Sequence, residues 1–66
     1  MKHIYIIGIG LIGGSFAIDI KKQHPSAIIH GIDSNDDFLE EALQLSVIDK
    51  KASLEDLGKA DMVIVA

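Results

Sequence analysis

The chain has no cysteine, a single proline and few basic residues for its acidic content. The absence of cysteine excludes disulfides, zinc–thiolate sites and cysteine nucleophiles, and nothing indicates an oxidising compartment. Lysine and arginine together number 6 against 10 acidic residues, which gives a net charge of -4. Nucleic-acid binding normally requires clustered basic residues, so this balance argues against such a partner. We expect a cytoplasmic protein.

Long hydrophobic runs are also absent. The apolar run at 4–7 is interrupted at Gly8 and Gly10, and Asp19 ends any longer apolar stretch. No segment approaches the roughly 18 uncharged apolar residues of a membrane-spanning helix. We therefore predict neither a signal peptide nor a membrane segment. With 66 residues and 48% hydrophobic content, the chain has material for one core at most.

The remaining pattern alternates β-rich runs with helical ones. It predicts strands at 4–7, 27–33, 47–52 and 61–66, the third an edge strand and the fourth a buried one. Between them we expect a helix at 11–23, a second helix capped at Ser34 that ends near Ser46, and a short helix between Ser53 and Gly58. Right-handed crossovers then give an α/β fold with a parallel sheet, strand order 3-2-1-4, and helices on both faces.

The apolar residues of the two longer helices predict which sides face the sheet. In the first helix the predicted stripe runs along one side, and in the second the apolar face continues to the end of the helix. The first stripe consists of Leu11, Gly14, Ser15 and Ile18, and the second face of Phe38, Leu39, Ala42, Leu43 and Leu45.

The segment 8–13, Gly-Ile-Gly-Leu-Ile-Gly, matches the G-x-G-x-x-G pattern. Alone this pattern is weak, but here it follows a predicted strand, opens a predicted helix, and is followed 20 positions after Gly13 by Asp33 at the end of the second strand. These three conditions define the dinucleotide-binding fingerprint. We therefore predict the N-terminal half of a Rossmann-type domain across residues 1–66.

Each residue of the motif has an expected task. Gly8 permits the tight turn after the strand, Gly10 allows close approach of a pyrophosphate, and Gly13 lets the helix pack against the sheet. The free backbone N–H groups of Leu11 and Ile12 lie at the positive end of the helix and should donate to phosphate oxygens.

Asp33 is predicted to accept hydrogen bonds from the adenosine ribose and to repel a 2′-phosphate. The following Ser34 and Asn35 supply no positive charge for that phosphate, so the expected cofactor is NAD rather than NADP. Ser34 is included among the cofactor-binding residues. The alternative is that Asp33 is only a helix-capping acid.

Other polar residues favour structural roles. His3, His24 and His30 form no metal-ligand pattern, although His3 and His30 are expected on neighbouring strands. Neither a metal site nor a catalytic residue is predicted. Tyr5 and Phe38 are interpreted as packing residues. The acidic residues of the second helix are interpreted as a solvated face: Asp36, Asp37, Glu40 and Glu41.

These residues resemble the N-terminal NAD-binding part of the prephenate dehydrogenase family. The resemblance covers essentially the whole chain, through the segments 7–15, 31–33 and 42–49. Ser46 departs from it, since the family more often has glycine there, and a serine in a left-handed cap would cost up to ~1 kcal/mol.

The resemblance implies an enzyme of tyrosine biosynthesis that uses NAD for the oxidative decarboxylation of prephenate or arogenate. It places the catalytic histidine, the substrate-binding residues and a helical dimerisation domain outside this chain, so we expect a fragment of a longer, homodimeric enzyme that is inactive alone and prone to self-association. Two alternatives stay open: another NAD-dependent enzyme, such as a 3-hydroxyacid dehydrogenase, or a non-catalytic nucleotide-sensing module.

Overall fold

A computed structural model describes residues 2–66, apart from the side chains of Leu11 and Ile12. None of the helices within this part of the chain has the length and apolar character needed to cross a membrane. The elements follow in the order β1 (His3–Ile7), α1 (Leu11–Gln23), β2 (Ile28–Ile32), α2 (Asp36–Gln44), β3 (Lys50–Lys51), the 3₁₀-helix η1 (Leu54–Lys59) and β4 (Met62–Val65).

The four strands form one parallel sheet in the order β3-β2-β1-β4. In the central pair, Tyr5 of β1 lies opposite His30 of β2, and on the outer sides Val63 pairs with Tyr5 and Lys50 with His30. Both the predicted strand order and the Rossmann-type α/β fold class are confirmed.

The core lies between one face of the sheet and the two α-helices. Ile4, Ile6 and Ile29 point to this face, where they pack with α1 and α2 residues such as Ala17 and Leu39. Because side chains alternate along a strand, Tyr5 and His30 point to the opposite face. Residues of η1 line a pocket with them on that side. Helices therefore lie on both faces, as predicted.

The predicted bounds of α1 are confirmed, but its predicted apolar stripe is wrong. Ser15 and Ile18 are exposed, whereas Gly13 and Ala17 are buried. The small residues bring the helix axis close to the sheet, so the helix packs with its smallest side chains. The predicted stripe position Leu11 has a side chain outside the described residues.

Two predictions about α2 had different outcomes. The N-cap is Asn35, whose Oδ1 accepts the N–H of Asp37 at 3.0 Å, so the predicted cap at Ser34 is wrong. A hydrogen bond from the Asn35 N–H to Asp33 forms a turn that moves the helix start one residue later. Ser46 has φ 59°, which confirms the left-handed cap that ends the helix.

The last third of the chain differs most from expectation. The 3₁₀-helix continues past Gly58 to Lys59, although its predicted capping box between Ser53 and Asp56 is present. Strand β4 was predicted to be buried, but three of its four residues are exposed, and Val65 is 74% exposed. Its position at the sheet edge leaves it with β1 as its strand neighbour within the described residues.

Candidate nucleotide-binding site

The first glycine of the motif makes the turn from β1 into the loop. Gly8 has φ 90°, a conformation that residues with a Cβ rarely adopt, and its N–H donates to the Ile32 carbonyl at 2.7 Å. A Cβ added at Gly8 would lie 3.2 Å from the Ala66 carbonyl oxygen. The turn therefore ties the start of the loop to β2 and leaves little room beside β4.

The third glycine is a point of direct backbone contact. A Cβ added at Gly13 would lie 1.8 Å from the carbonyl oxygen of Gly8, a distance that no real contact could tolerate. Within the same turn, the Gly14 N–H donates to the Ile9 carbonyl at 2.8 Å. The first turn of α1 is thus packed directly on the loop that precedes it.

The second glycine faces open space. A Cβ at Gly10 would have no heavy atom within 4 Å, so this part of the backbone is accessible to a ligand. Gly10 is also the N-cap of α1, where neither a capping side chain nor an acidic residue of the first turn satisfies the free N–H groups. Leu11 and Ile12 begin α1, and the phosphate contacts of their backbone N–H groups stay a prediction.

The carboxylate of Asp33 connects the glycine loop to the end of β2. Its Oδ2 accepts the N–H of Ile9 at 2.8 Å, and its Oδ1 accepts the N–H of Asn35 at 2.9 Å. These backbone hydrogen bonds, that of Asn35 first and that of Ile9 next, lower the pKa of Asp33 below its ordinary value. The side chain is therefore held as a carboxylate in a fixed orientation.

This arrangement bears on the two interpretations of Asp33. The N-cap of α2 is Asn35, so the interpretation of Asp33 as the helix cap is wrong. An ionised carboxylate has about four lone-pair positions, of which the hydrogen bonds of Ile9 and Asn35 use two, and the N–H groups of Gly10 and Ser34 also contribute to its lowered pKa. A hydroxyl donor of a ligand therefore shares this carboxylate with backbone donors. Ser34, the other predicted residue here, is exposed beside it.

An apolar pocket beside the glycine loop was missed by the sequence analysis. Two of its residues, Phe38 and Leu45, were assigned to the packed face of α2, but they are 46% and 67% exposed. The hydrophobic pattern alone did not reveal that a space remains between the glycine loop and these residues of α2. The pocket is lined by Ile9, Gly10, Gly14, Phe38, Glu41, Ala42, Leu45 and Val47.

The remaining polar candidates lie apart from the glycine loop. His3 and His30 are in contact, as expected for neighbouring strands, and His24 is exposed at the end of α1. Of the predicted solvated acids, Asp36 and Glu40 form ion pairs with Lys51. Among residues 2–66 no three histidine or carboxylate groups come together in a way that could hold a metal ion.

Comparison with known proteins gives a consistent result. The chain is 46% identical over 65 residues to a prephenate dehydrogenase of Bacillus subtilis (strain 168), and these residues are 96% of the chain but 18% of the relative. It is 43% identical, along its whole length, to a prephenate dehydrogenase of Lactococcus lactis subsp. cremoris (strain MG1363), of which it covers 19%. The chain thus spans about a fifth of the length of these relatives. No protein-family model matches it.

The fold comparison agrees with the sequence comparison. A crystal structure of prephenate dehydrogenase from A. aeolicus, in complex with hydroxyphenyl propionate and NAD+, matches 98% of the chain with a TM-score of 0.87 and 29% sequence identity, over 24% of its own length. Over nearly its whole length, the chain is therefore similar to one part of the prephenate dehydrogenases, which confirms the resemblance predicted from its glycine motif, Asp33 and second helix.

Proposed function

We propose that this chain binds the adenosine diphosphate part of NAD in a dehydrogenase that acts on prephenate. The observation that carries the proposal is the hydrogen bond between Asp33 and the Ile9 N–H. It joins the residue expected to bind the ribose to the loop expected to bind the diphosphate. The two parts of the site are thereby held next to each other before any ligand binds.

The glycine loop and the start of α1 supply the diphosphate contacts in this proposal. The turn at Gly8, the close packing at Gly13 and the open space at Gly10 leave the positive end of α1 accessible. An anion there is stabilised by free N–H groups, which include those of Leu11 and Ile12, and by the helix dipole. No lysine is required for this binding.

Asp33 and Ser34 form the ribose end of the proposed site. The lowered pKa of Asp33 keeps it ionised near neutral pH, where it accepts hydrogen bonds from ribose hydroxyls and repels a 2′-phosphate. Neither Ser34 nor Asn35 can supply a compensating positive charge. These features support NAD over NADP, and one relative of known structure was solved with NAD+.

The reaction belongs to the complete protein, since the matched relatives are about five times as long as this chain. There NAD accepts a hydride from prephenate, which loses carbon dioxide to give 4-hydroxyphenylpyruvate. The residues of this chain hold and orient the adenosine diphosphate, and residues 1–66 alone have no catalytic activity. A helical dimerisation domain, assembly as a homodimer and a cytoplasmic location complete the proposal.

Titration calorimetry with NAD and NADP tests the binding part of the proposal. The protein is expected to bind NAD more tightly than NADP, and Asp33→Asn is expected to weaken NAD binding at least about 10-fold, since hydrogen bonds to charged groups contribute about 1.5–3 kcal/mol. Asp37→Asn is the matched control, because Asp37 is an exposed acid in the first turn of α2. Failure of both dinucleotides to bind, or tighter binding of NADP, would refute it.

The activity part needs its own measurement. Prephenate-dependent reduction of NAD, followed by absorbance at 340 nm, should be found with the complete protein and be absent with residues 1–66. If the complete protein binds NAD but does not reduce it in the presence of prephenate or arogenate, the cofactor assignment stands and the substrate assignment fails.

A further inference from the structure

The sheet face opposite α1 and α2 carries a row of three side chains from three adjacent strands. Tyr5, His30 and Lys50 lie opposite one another in register across β1, β2 and β3. The rings of Tyr5 and His30 are stacked, with centroids 4.2 Å apart and planes 2° from parallel. His30 is 7% exposed, so the row has a rigid, mostly buried centre with a lysine at its outer end.

This row forms the floor of a polar pocket under η1. His3 adds a second imidazole, because its Nδ1 lies 2.9 Å from Nε2 of His30, and Asp56 and Lys59 of η1 form the opposite wall. The pocket shares no residue with the glycine loop or with Asp33. It is thus separate from the proposed dinucleotide site.

The charges around this pocket are not balanced. The carboxylate of Asp56 accepts hydrogen bonds from the N–H and hydroxyl of Ser53, and its distance to the Lys59 ammonium is 3.8 Å. In contrast, Lys50 forms no ion pair within residues 2–66. Three lysines line the pocket, of which Lys51 is paired with Asp36 and Glu40 and Lys59 with Asp56. Lys50 and two imidazoles therefore remain beside a carboxylate that already has partners.

We propose that this pocket binds a small oxyanion, of the phosphate or dicarboxylate class, between Lys50 and His30. Lys50 supplies the charge, His30 a hydrogen-bond donor, and Lys59 a second charge at the rim. The site goes beyond the nucleotide-binding function, because it lies on the sheet face opposite α1 and uses none of the same residues.

The hydrogen bond between the two histidines determines which ring nitrogen of His30 carries a proton that it can donate to a ligand. A hydrogen bond between His3 Nδ1 and His30 Nε2 requires one N–H and one lone pair. When His3 donates, neutral His30 carries its proton on Nδ1 and can use it as a donor. When His30 is protonated, both of its nitrogens donate. An anion can accept a hydrogen bond in either state, but its negative charge stabilises the protonated state more.

Electrostatics provide a measurable consequence. Burial, followed by the nearby His3 and Lys50, lowers the pKa of His30, whereas Asp49 and Asp56 act in the opposite direction. A bound anion should raise the pKa of His30 again, because negative charge favours the imidazolium form. Anion binding and protonation of His30 must therefore strengthen each other.

The test is an NMR pH titration of the histidine side chains in chloride, phosphate or succinate at equal ionic strength. The His30 signal is assigned by its loss in His30→Gln. The pKa of His30 should rise by roughly half a unit or more in phosphate, in succinate or in both. Which of the two anions is effective identifies the class of ligand.

Two lysine variants test whether the pKa shift arises from anion binding in this pocket. Lys50→Gln should abolish the anion-dependent shift, while Lys22→Gln, at an exposed lysine of α1 on the other side of the sheet, should leave it unchanged. Phosphate can also bind at the start of α1, so the amide signal of Gly14, in the first turn of that helix, reports that site separately. An unchanged pKa in both anions, or the same shift in Lys50→Gln, overturns the proposal, whatever the result of the NAD titration.

Discussion

The carboxylate of Asp33 lies 2.8 Å from the backbone nitrogen of Ile9, a contact between residues 24 positions apart in the chain. The same carboxylate also accepts the Asn35 N–H. One side chain thus holds the loop after β1 and the segment before α2 in fixed relation. Its loss affects the shape of the empty site as well as the binding of a ligand.

Replacement of Asp33 by alanine should therefore loosen the loop in the absence of any cofactor. The amides of Ile9 and Asn35 lose their acceptor, so their hydrogen exchange should accelerate at least about 10-fold, the change that corresponds to ~1.4 kcal/mol. Hydrogen exchange followed by NMR measures both amides directly. The His24 N–H, which donates to the Ile20 carbonyl at the far end of α1, is the internal reference. Equal exchange rates in both proteins would show that Asp33 does not hold the loop.

Replacement of Gly13 by alanine should strongly destabilise the fold. The added Cβ would collide with the Gly8 carbonyl, and neither backbone can move without disrupting the turn. We expect a loss of about 3 kcal/mol or more in the free energy of unfolding, the upper range for overpacking. Gly58→Ala is the control, because a Cβ there meets nothing within 4 Å. Urea denaturation should show a large change for the first variant and a small one for the second.

Replacement of Gly10 by alanine should separate binding from stability. Space around Gly10 is open, so the variant should fold with a free energy of unfolding close to that of the unaltered protein. The new methyl group would nevertheless occupy the space where the diphosphate approaches the backbone, and NAD affinity should fall at least about 10-fold. Urea denaturation checks the expected stability of the variant, and calorimetry with NAD checks the expected loss of affinity. Undiminished NAD binding would show that the diphosphate does not approach at Gly10.

The buried histidine makes stability depend on pH on the acidic side of neutrality. Because the pKa of His30 in the fold is below its ordinary value of 6.5, the unfolded chain takes up a proton more readily than the folded one. This contribution to stability is complete above about pH 6.5 and is lost as the pH falls from there through the lower pKa of the folded state. Urea denaturation between pH 5 and 7.5 should show the decrease. The decrease should be smaller in His30→Gln, whereas His24→Gln should retain it.

Residues 1–66 on their own should self-associate through the exposed strand β4. Met62, Val63 and Val65 are 42%, 43% and 74% exposed on a strand at the sheet edge. Sedimentation velocity at increasing concentration should show dimers or larger species. Val65→Lys should shift the population towards monomer, because a charged residue on an edge strand opposes pairing. Leu54→Lys, a change at an exposed leucine of η1, should not. A monomer at all concentrations would contradict the prediction.

The strand order, the bounds of α1 and the position of Asp33 could be predicted because they depend on strong local signals. A continuous apolar strand, three glycines at fixed spacing and an acid at the end of the second strand specify one topology. The left-handed conformation of Ser46 was implied by the family resemblance, because the family more often has glycine at this position.

The errors arise where tertiary contacts decide between similar local choices. Ser34 and Asn35 are both good caps, and the hydrogen bond from the Asn35 N–H to Asp33 selects the second. In α1 the close contact at Gly13 determines which side faces the sheet, and no hydrophobicity pattern encodes it. The exposure of β4 depends on what lies beside the strand rather than on its own apolar sequence.

Strand β3 contains two residues, and both are lysines that serve different sides of the sheet. Lys51 reaches Asp36 and Glu40 of α2, while Lys50 stands beside His30 on the reverse side. Deletion of Asp49 would shift the register of β3 by one residue, so that the side chains of Lys50 and Lys51 would each point to the opposite face of the sheet. The lysine that then faces α2 would lie two positions earlier in the register, so the ion pairs with Asp36 and Glu40 would be lost, whereas a lysine would still stand beside His30.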